Sequence, residues 1–168
     1  VGGGLPIGVI AGSAQYMDHI DGGFWDYGDS SYPAVERTFF GGTFCQNHEA
    51  MLSAYSVLNY LDQQGPELQH QLNLKTKKFA DTLNAYFEEN DISIRVHYFS
   101  SIFRFEIQGG MDLFYFHMLE KGVYIWEWRG CFLSTAHTEE DLNHIIQAAK
   151  ESVAALEEGG FSLRSKRN

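Results

Sequence analysis

Cysteine is scarce: Cys45 and Cys131 are the only two in 168 residues. Two thiols cannot build a disulfide framework, which excludes the small cross-linked secreted scaffolds and points to a reducing, cytoplasmic setting. Positive charge is scarce as well, with 12 Lys and Arg against 22 Asp and Glu and a formal net charge of −10. A protein that neutralises a phosphate backbone needs a basic face, so nucleic acid is excluded as a partner. The basic cluster Lys75, Lys77 and Lys78 falls inside a helical pattern close to Asp81 and reads as a solvated helix face. Long hydrophobic runs are missing. Residues 5–11 form an apolar stretch far short of the roughly 20 residues of a membrane span. They also lack the basic segment of a secretory signal, so no membrane partner is expected. Metal-binding patterns are absent too. The seven histidines form no HExxH or Cys/His cluster, and Asp21, Asp26 and Asp29 lack calcium-loop spacing.

What is present is core-forming material. Hydrophobic residues make up 44% and aromatics 15%, enough for a packed interior and against disorder. The length suits one compact domain or slightly more. The chain starts at Val1 and runs directly into Gly2, Gly3 and Gly4, which reads as the middle of a longer protein.

Residues 7–10 are β-branched and apolar and predict a short strand after the glycine turn. The triple glycine is not a dinucleotide fingerprint, because that motif opens a helix, whereas Pro6 and β-branched residues come next here. A short helix capped by Ser13 is expected over 13–20, then a loop rich in Gly, Asp and aromatics over 21–32. A helix should start near His48 or Glu49, burying Ala50, Met51, Ala54, Val57, Leu58 and Leu61. Gly65 should end it and Pro66 should open the next, which runs to about Glu89. That helix carries Leu72, Phe79, Leu83, Tyr86 and Phe87 on one face.

The period then changes to two. Ile92, Ile94, Val96 and Tyr98 alternate with polar residues, as do Phe103, Phe105 and Ile107, with Gly109 and Gly110 closing the second strand. A helix is predicted over 111–121, with Leu113, Phe114, His117 and Met118 on one side. Short strands are predicted over 123–126 and 131–134. Thr138 and Asp141 have capping-box spacing ahead of a last helix. His137 reads as a packing and capping residue. From residue 157 on, a disordered tail is expected. The order from residue 48 on is that of an α+β layer.

The stretch over 37–51 is the most suggestive of chemistry. Gly41 and Gly42 permit a bend and close approach, and Thr43 offers a hydroxyl and an N–H ahead of a helix. The residues alone leave two readings open: an anion seat at a helix N-terminus, or an ordinary loop and cap.

Taken in register, three motifs resemble class III pyridoxal-phosphate aminotransferases. They are Gly2-Gly3-Gly4-Leu5-Pro6-Ile7-Gly8, then Gly41-Gly42-Thr43-Phe44 with Asn47, and Ser134-Thr135-Ala136-His137-Thr138-Glu139-Glu140-Asp141-Leu142. The similarity covers about residues 1–157 and is nearest to the glutamate-1-semialdehyde 2,1-aminomutase branch. Aminotransferase domains of hybrid polyketide–peptide synthetases also look like this chain. The resemblance implies an α/β fold type I enzyme seen as its C-terminal portion. Residues 1–62 would end the large cofactor-binding domain, 63–157 would form an α+β small domain, and 158–168 a tail or linker. It implies pyridoxal 5'-phosphate as cofactor and a homodimer in which Thr43 and Gly42 contact the phosphate held by the neighbouring subunit. The substrate would be a small molecule or carrier-bound.

By the same pattern the Schiff-base lysine sits two positions upstream of Val1, so no catalytic residue is expected in this chain. Family members commonly read Gly-Asn-Pro where Gln46-Asn47-His48 stand, which makes His48 a surface or interface residue. In the aminomutase branch a carboxylate occupies the loop after the fourth strand. Here that loop is Trp126-Glu127-Trp128-Arg129-Gly130, placing Arg129 near the substrate. Arg129 then either pairs a substrate carboxylate or phosphate, or forms a structural ion pair with Glu127 or Asp29. A different class remains open: a non-catalytic acidic α+β interaction module.

Overall fold

The computed structural model describes residues 1–26, 28–107 and 112–164. Gly109 and Gly110, expected to close a strand, Met111, expected to open a helix, and the last four residues of the tail lie outside them. The chain divides into two compact units, Val1–Gly65 and Pro66–Asn168.

The first unit holds two helices. In α1 (Ala14–Asp21) Ser13 is the N-cap as expected, but its side chain makes no capping bond. The Ser13 carbonyl instead accepts the N–H groups of Tyr16 and Met17, both at 3.0 Å. The strand predicted over 7–10 does not form; the segment is irregular, with Val9 and Ile10 74% and 65% exposed. β-Branched residues favour extended backbone, but a strand also needs a neighbour to complete its hydrogen bonds, and none pairs here. Helix α2 (His48–Gln64) begins on Asn47, whose side chain accepts the Ala50 N–H at 2.9 Å, and stops at Gly65 with φ 67°. Of its predicted buried stripe only Ala50 and Ala54 are buried. Met51 and Leu58 are 55% and 51% exposed, because the unit supplies no second layer over that face. The glycine turn packs on this helix. Gly3 has φ +57°, and a Cβ there would stand 2.4 Å from Ser53 Oγ, which itself donates to the Gly2 carbonyl at 2.9 Å.

The second unit contains the core. Helix α3 (Pro66–Glu89) buries Phe79, Leu83 and Phe87 of the predicted face together with Thr76 and Ala80, while Leu72 and Tyr86 are half-buried. Strands β1 (Ile94–Phe99) and β2 (Ile102–Ile107) pair antiparallel, Ile94 opposite Ile107 and Phe99 opposite Ile102, and β3 (Cys131–Phe132) adds to β2. This three-stranded sheet has order β1-β2-β3. Its inner residues, Val96, Phe103 and Phe105 among them, pack in one cluster with α3, α4 (Leu113–Glu120) and α5 (Glu139–Glu158). The predicted capping box forms: Thr138 and Asp141 bond reciprocally at the start of α5.

Two expectations fail in this unit. Residues 123–126 do not form a strand; Val123 and Ile125 are buried while Tyr124 and Trp126 are exposed. The alternation is real, but the segment comes after α4 without reaching a strand edge. The tail is not disordered from residue 157. Helix α5 runs to Glu158, Leu163 is buried, its carbonyl accepts the Ser93 N–H at 2.6 Å, and Arg164 bridges to Ile92.

From the core a chain of aromatic contacts leads outward to the loop over 126–130. It runs Phe79–Phe103–Phe105–Phe114–Tyr115–Trp128, with successive ring centroids 5.1, 6.0, 5.4, 5.7 and 6.0 Å apart. Such contacts add to simple burial and restrict ring positions. The loop is therefore tied through packed rings to α3.

Candidate active site

Each unit holds a candidate group of its own. In the first, Thr43 and Gly42 lie in a turn closed by a hydrogen bond from the Cys45 N–H to the Gly42 carbonyl at 3.0 Å. Helix α2 starts later, at His48, and its N-cap is Asn47. The expected seat at a helix N-terminus is thus corrected: Thr43 precedes the helix by a full turn of chain, so turn amides rather than the helix dipole are what it offers. The Thr43 hydroxyl and the N–H groups of Gly42, Thr43 and Phe44 have no hydrogen-bond partner among the described residues. A Cβ at Gly42 would come within 3.3 Å of the exposed Cys45 Sγ, which can turn aside to admit it.

This turn forms one wall of an open groove of about 870 Å³ lined by Pro6, Phe40, Phe44, Asn47 and Met51 among others. None of its lining residues is acidic. Unpaired donors on a mostly apolar wall suit a ligand with an anionic end and a flat apolar body. The apolar residues over 7–10 also line this groove. Sequence periodicity assigned them to a strand, so their contribution here was not visible from it. His48 is exposed at the first position of α2, consistent with a surface residue.

In the second unit the loop over 126–130 turns sharply. The Arg129 N–H donates to the Trp126 carbonyl at 3.2 Å, and Trp128 has φ +61°. The Arg129 guanidinium lies over the Trp126 ring, 5.0 Å from its centroid. Within its own unit the ion pair foreseen for Arg129 with Glu127 does not form among the described residues; in the first unit Asp29 accepts from Ser31 N–H and Oγ. A guanidinium stacked on an aromatic face keeps its N–H edges free for a planar anion.

Trp128 Nε1 donates to Asp112 Oδ1 at 2.8 Å. Beneath it, burial pushes both the Tyr115 hydroxyl and the Cys131 thiol up, so both stay neutral at physiological pH. Asp112 and Trp128 were not found by sequence reasoning. A positive φ at a tryptophan leaves no local signature, and Asp112 looks like an ordinary helix cap.

The lysine cluster is structural, as expected. Lys77 pairs with Asp81 at 2.5 Å, Lys78 with Glu139 at 3.0 Å, and Lys75 donates to the His137 carbonyl at 2.8 Å. His137 Nδ1 in turn accepts the Ser134 N–H at 3.1 Å, bracing the approach to α5. No cluster of His, Cys, Asp and Glu able to hold a metal occurs among the described residues, and no described helix is long and apolar enough to cross a membrane.

No protein-family profile matches the chain. It is 30% identical, over an alignment of 173 positions covering 93% of the chain, to glutamate-1-semialdehyde 2,1-aminomutase 1 of Staphylococcus aureus. The match takes in 37% of that protein, so the chain spans little more than a third of the length of the curated relatives it matches. Among solved structures it is similar to a β-phenylalanine aminotransferase from Variovorax paradoxus, with TM-score 0.72, 20% identity, and coverage of 92% of this chain and 36% of the other. An ω-transaminase from Sphaerobacter thermophilus superimposes with TM-score 0.70 at 19% identity, covering 91% of this chain and 36% of that one. A transaminase with pyridoxal phosphate bound gives 0.68 at 20% identity, covering 90% and 35%. The chain is therefore similar to part of the glutamate-1-semialdehyde 2,1-aminomutases, and it carries the fold of the corresponding part of a fold type I transaminase.

Proposed function

We propose that this chain is part of a pyridoxal-phosphate-dependent aminotransferase and that its turn over 42–44 holds the cofactor phosphate. The observation that carries the reading is the set of unpaired donors at that turn: the Thr43 hydroxyl and the amides of Gly42, Thr43 and Phe44, on a groove without acidic residues. A phosphate needs several converging donors and no nearby carboxylate, so the residues present fit the group. When bound, the cofactor supplies an electron-accepting ring through which an amino group passes from a donor amino acid to a keto or aldehyde acceptor.

On this reading residues 1–62 end the large domain and residues 63–157 form the small domain, onto whose core Leu163 of the following segment packs. The phosphate held by Thr43 and Gly42 belongs to cofactor bound by a second copy of the chain, so the working site is a homodimer's. The Schiff-base lysine is expected just upstream of Val1. Arg129 recognises an anionic group of the substrate. Glutamate-1-semialdehyde 2,1-aminomutase is the second reading, favoured by the 30% identity to that enzyme. Arg129, standing where the resemblance puts an acidic residue in the aminomutases, favours transfer between separate donor and acceptor molecules. A carrier-bound β-keto intermediate is the acceptor proposed for a synthetase-tethered form.

The test uses the protein expressed from its whole reading frame. Pyridoxal phosphate is titrated by fluorescence against wild type, Thr43→Ala and Thr43→Ser. Loss of a hydrogen bond to a charged group costs about 1.5–3 kcal/mol, so Thr43→Ala should bind on the order of ten- to a hundredfold more weakly, with Thr43→Ser close to wild type. Equal affinity in Thr43→Ala would remove the phosphate assignment. Absence of cofactor binding in the wild type would remove the enzyme reading and leave the interaction module.

A further inference from the structure

Asp112 occupies the N-cap of α4, yet its side chain makes no capping bond. Aspartate is among the residues most favoured at that position because its carboxylate satisfies free N–H groups of the first turn. Here the Asp112 carboxylate is used elsewhere: it accepts the Trp128 indole N–H at 2.8 Å. Trp128 itself sits in the left-handed region, φ +61°, a strained conformation for a bulky residue that local sequence does not favour. Its ring meets the buried Tyr115 edge-on at 6.0 Å, the last contact of the aromatic chain from α3. Two local preferences are thus overridden at one point. The next residue along the chain is Arg129, with its guanidinium over Trp126 and no acidic partner among the described residues of its unit. Conflicts of this kind between local preference and tertiary structure concentrate where a fold holds a working group in place.

We infer that Asp112 and Trp128 form a latch that positions Arg129 to receive the carboxylate of a substrate. This rests on the proposed role of Arg129 in substrate recognition and deepens it. The latch fixes the backbone of residue 128 so that the adjoining guanidinium stays over the Trp126 ring, 5.0 Å from its centroid. The guanidinium edge then presents two parallel N–H donors, the geometry a carboxylate accepts bidentately. Neither Asp112 nor Trp128 is a catalytic residue; both act through Arg129. A substrate with a carboxylate should depend on the latch, and an amine without one should not.

The experiment uses the holoenzyme from the whole reading frame, with succinate as a carboxylate probe titrated by intrinsic tryptophan fluorescence. Trp128→Phe keeps the ring against Tyr115 and removes only the N–H. Asp112→Ala removes the acceptor, whereas Asp112→Asn retains a side-chain oxygen for the indole. Expected are a three- to tenfold rise in the succinate Kd for Trp128→Phe and for Asp112→Ala, a Kd near wild type for Asp112→Asn, and no further loss in the double variant Trp128→Phe, Asp112→Ala. For any carboxylate-bearing amino donor that supports turnover, KM should rise with kcat unchanged. KM for a simple amine donor should stay constant.

Arg129→Ala separates the two levels. If it leaves succinate binding intact, the reading of Arg129 falls and the latch falls with it. If Arg129→Ala weakens binding while Trp128→Phe and Asp112→Ala do not, the latch alone is overturned. Equal loss for carboxylate and amine donors, or a failure of Asp112→Asn to restore binding, would mark the contact as merely structural and also overturn it. Should Asp112→Ala fold poorly, Trp128→Phe decides alone.

Discussion

Asp112 and Asp141 both stand at the start of a helix, and only Asp141 serves it. The Asp141 carboxylate accepts the Thr138 N–H at 2.7 Å and the Thr138 hydroxyl at 2.8 Å, while Thr138 Oγ1 accepts the Asp141 N–H at 3.1 Å. The backbone bond from Thr138, then its side-chain bond, hold the Asp141 carboxyl below the usual aspartate range. A group whose pKa is lower folded than unfolded stabilises the fold above its unfolded value and loses that contribution as pH falls through the folded one. Thermal unfolding of Asp141→Asn and wild type should therefore differ most at neutral pH and converge below about pH 4, the ordinary aspartate range. A gap that persists at pH 2 would show that the box acts through something other than this carboxylate. This motif was legible because both partners lie within one turn of chain. The Trp128 indole reaches Asp112 across a sequence separation of 16, and nothing in either neighbourhood announces it.

At the scale of elements, β1 shows how the sheet's outer edge is closed. The Asn84 side chain of α3 accepts the Val96 N–H at 2.8 Å and donates to the Val96 carbonyl at 2.9 Å. An amide side chain thereby stands in for a neighbouring strand at that residue, and residues 163–164 cover the segment before it. Exposed strand edges invite pairing with other chains, and covering them removes the template. Asn84→Ala leaves both backbone groups of Val96 half-buried without a protein partner and should destabilise the fold by about 1–3 kcal/mol in urea unfolding. An effect under about 0.5 kcal/mol would mean water replaces the amide at no cost. Helices α3 and α5 and strands β1 and β2 were readable because each buries one face and so carries its period in its own residues. The strands expected over 7–10 and 123–126 had the right residue types but no ladder partner, which no window of sequence reveals.

At the scale of the molecule, the two units differ in kind. Among the described residues the continuous hydrophobic core lies in Pro66–Asn168, whereas the buried apolar side chains of Val1–Gly65 are Ala50 and Ala54. Area removed from water is the main favourable term in folding. Residues 66–168 expressed alone should accordingly unfold in one cooperative transition, and residues 1–65 alone should show none by circular dichroism. Within the larger unit Phe105→Ala, at a fully packed position, should cost about 3–5 kcal/mol. Leu52→Ala, on the 68% exposed face of α2, should change the stability of the chain by less than about 0.5 kcal/mol. A large effect at Leu52 would show that this face is covered in solution.

The amino-acid order alone determined the helices and the capping box of α5, the two main strands and their inward residues, the want of basic charge, and the motifs that resemble those of the transaminases. Those properties are local or periodic, so they are written in neighbouring residues. Tertiary structure decided the rest. It kept residues 7–10 and 123–126 from pairing as strands, drew Asp112 away from its helix, held Trp128 at φ +61° and set the Arg129 guanidinium over Trp126. Each of these depends on which distant group arrives beside a residue, and only the folded chain supplies that neighbour.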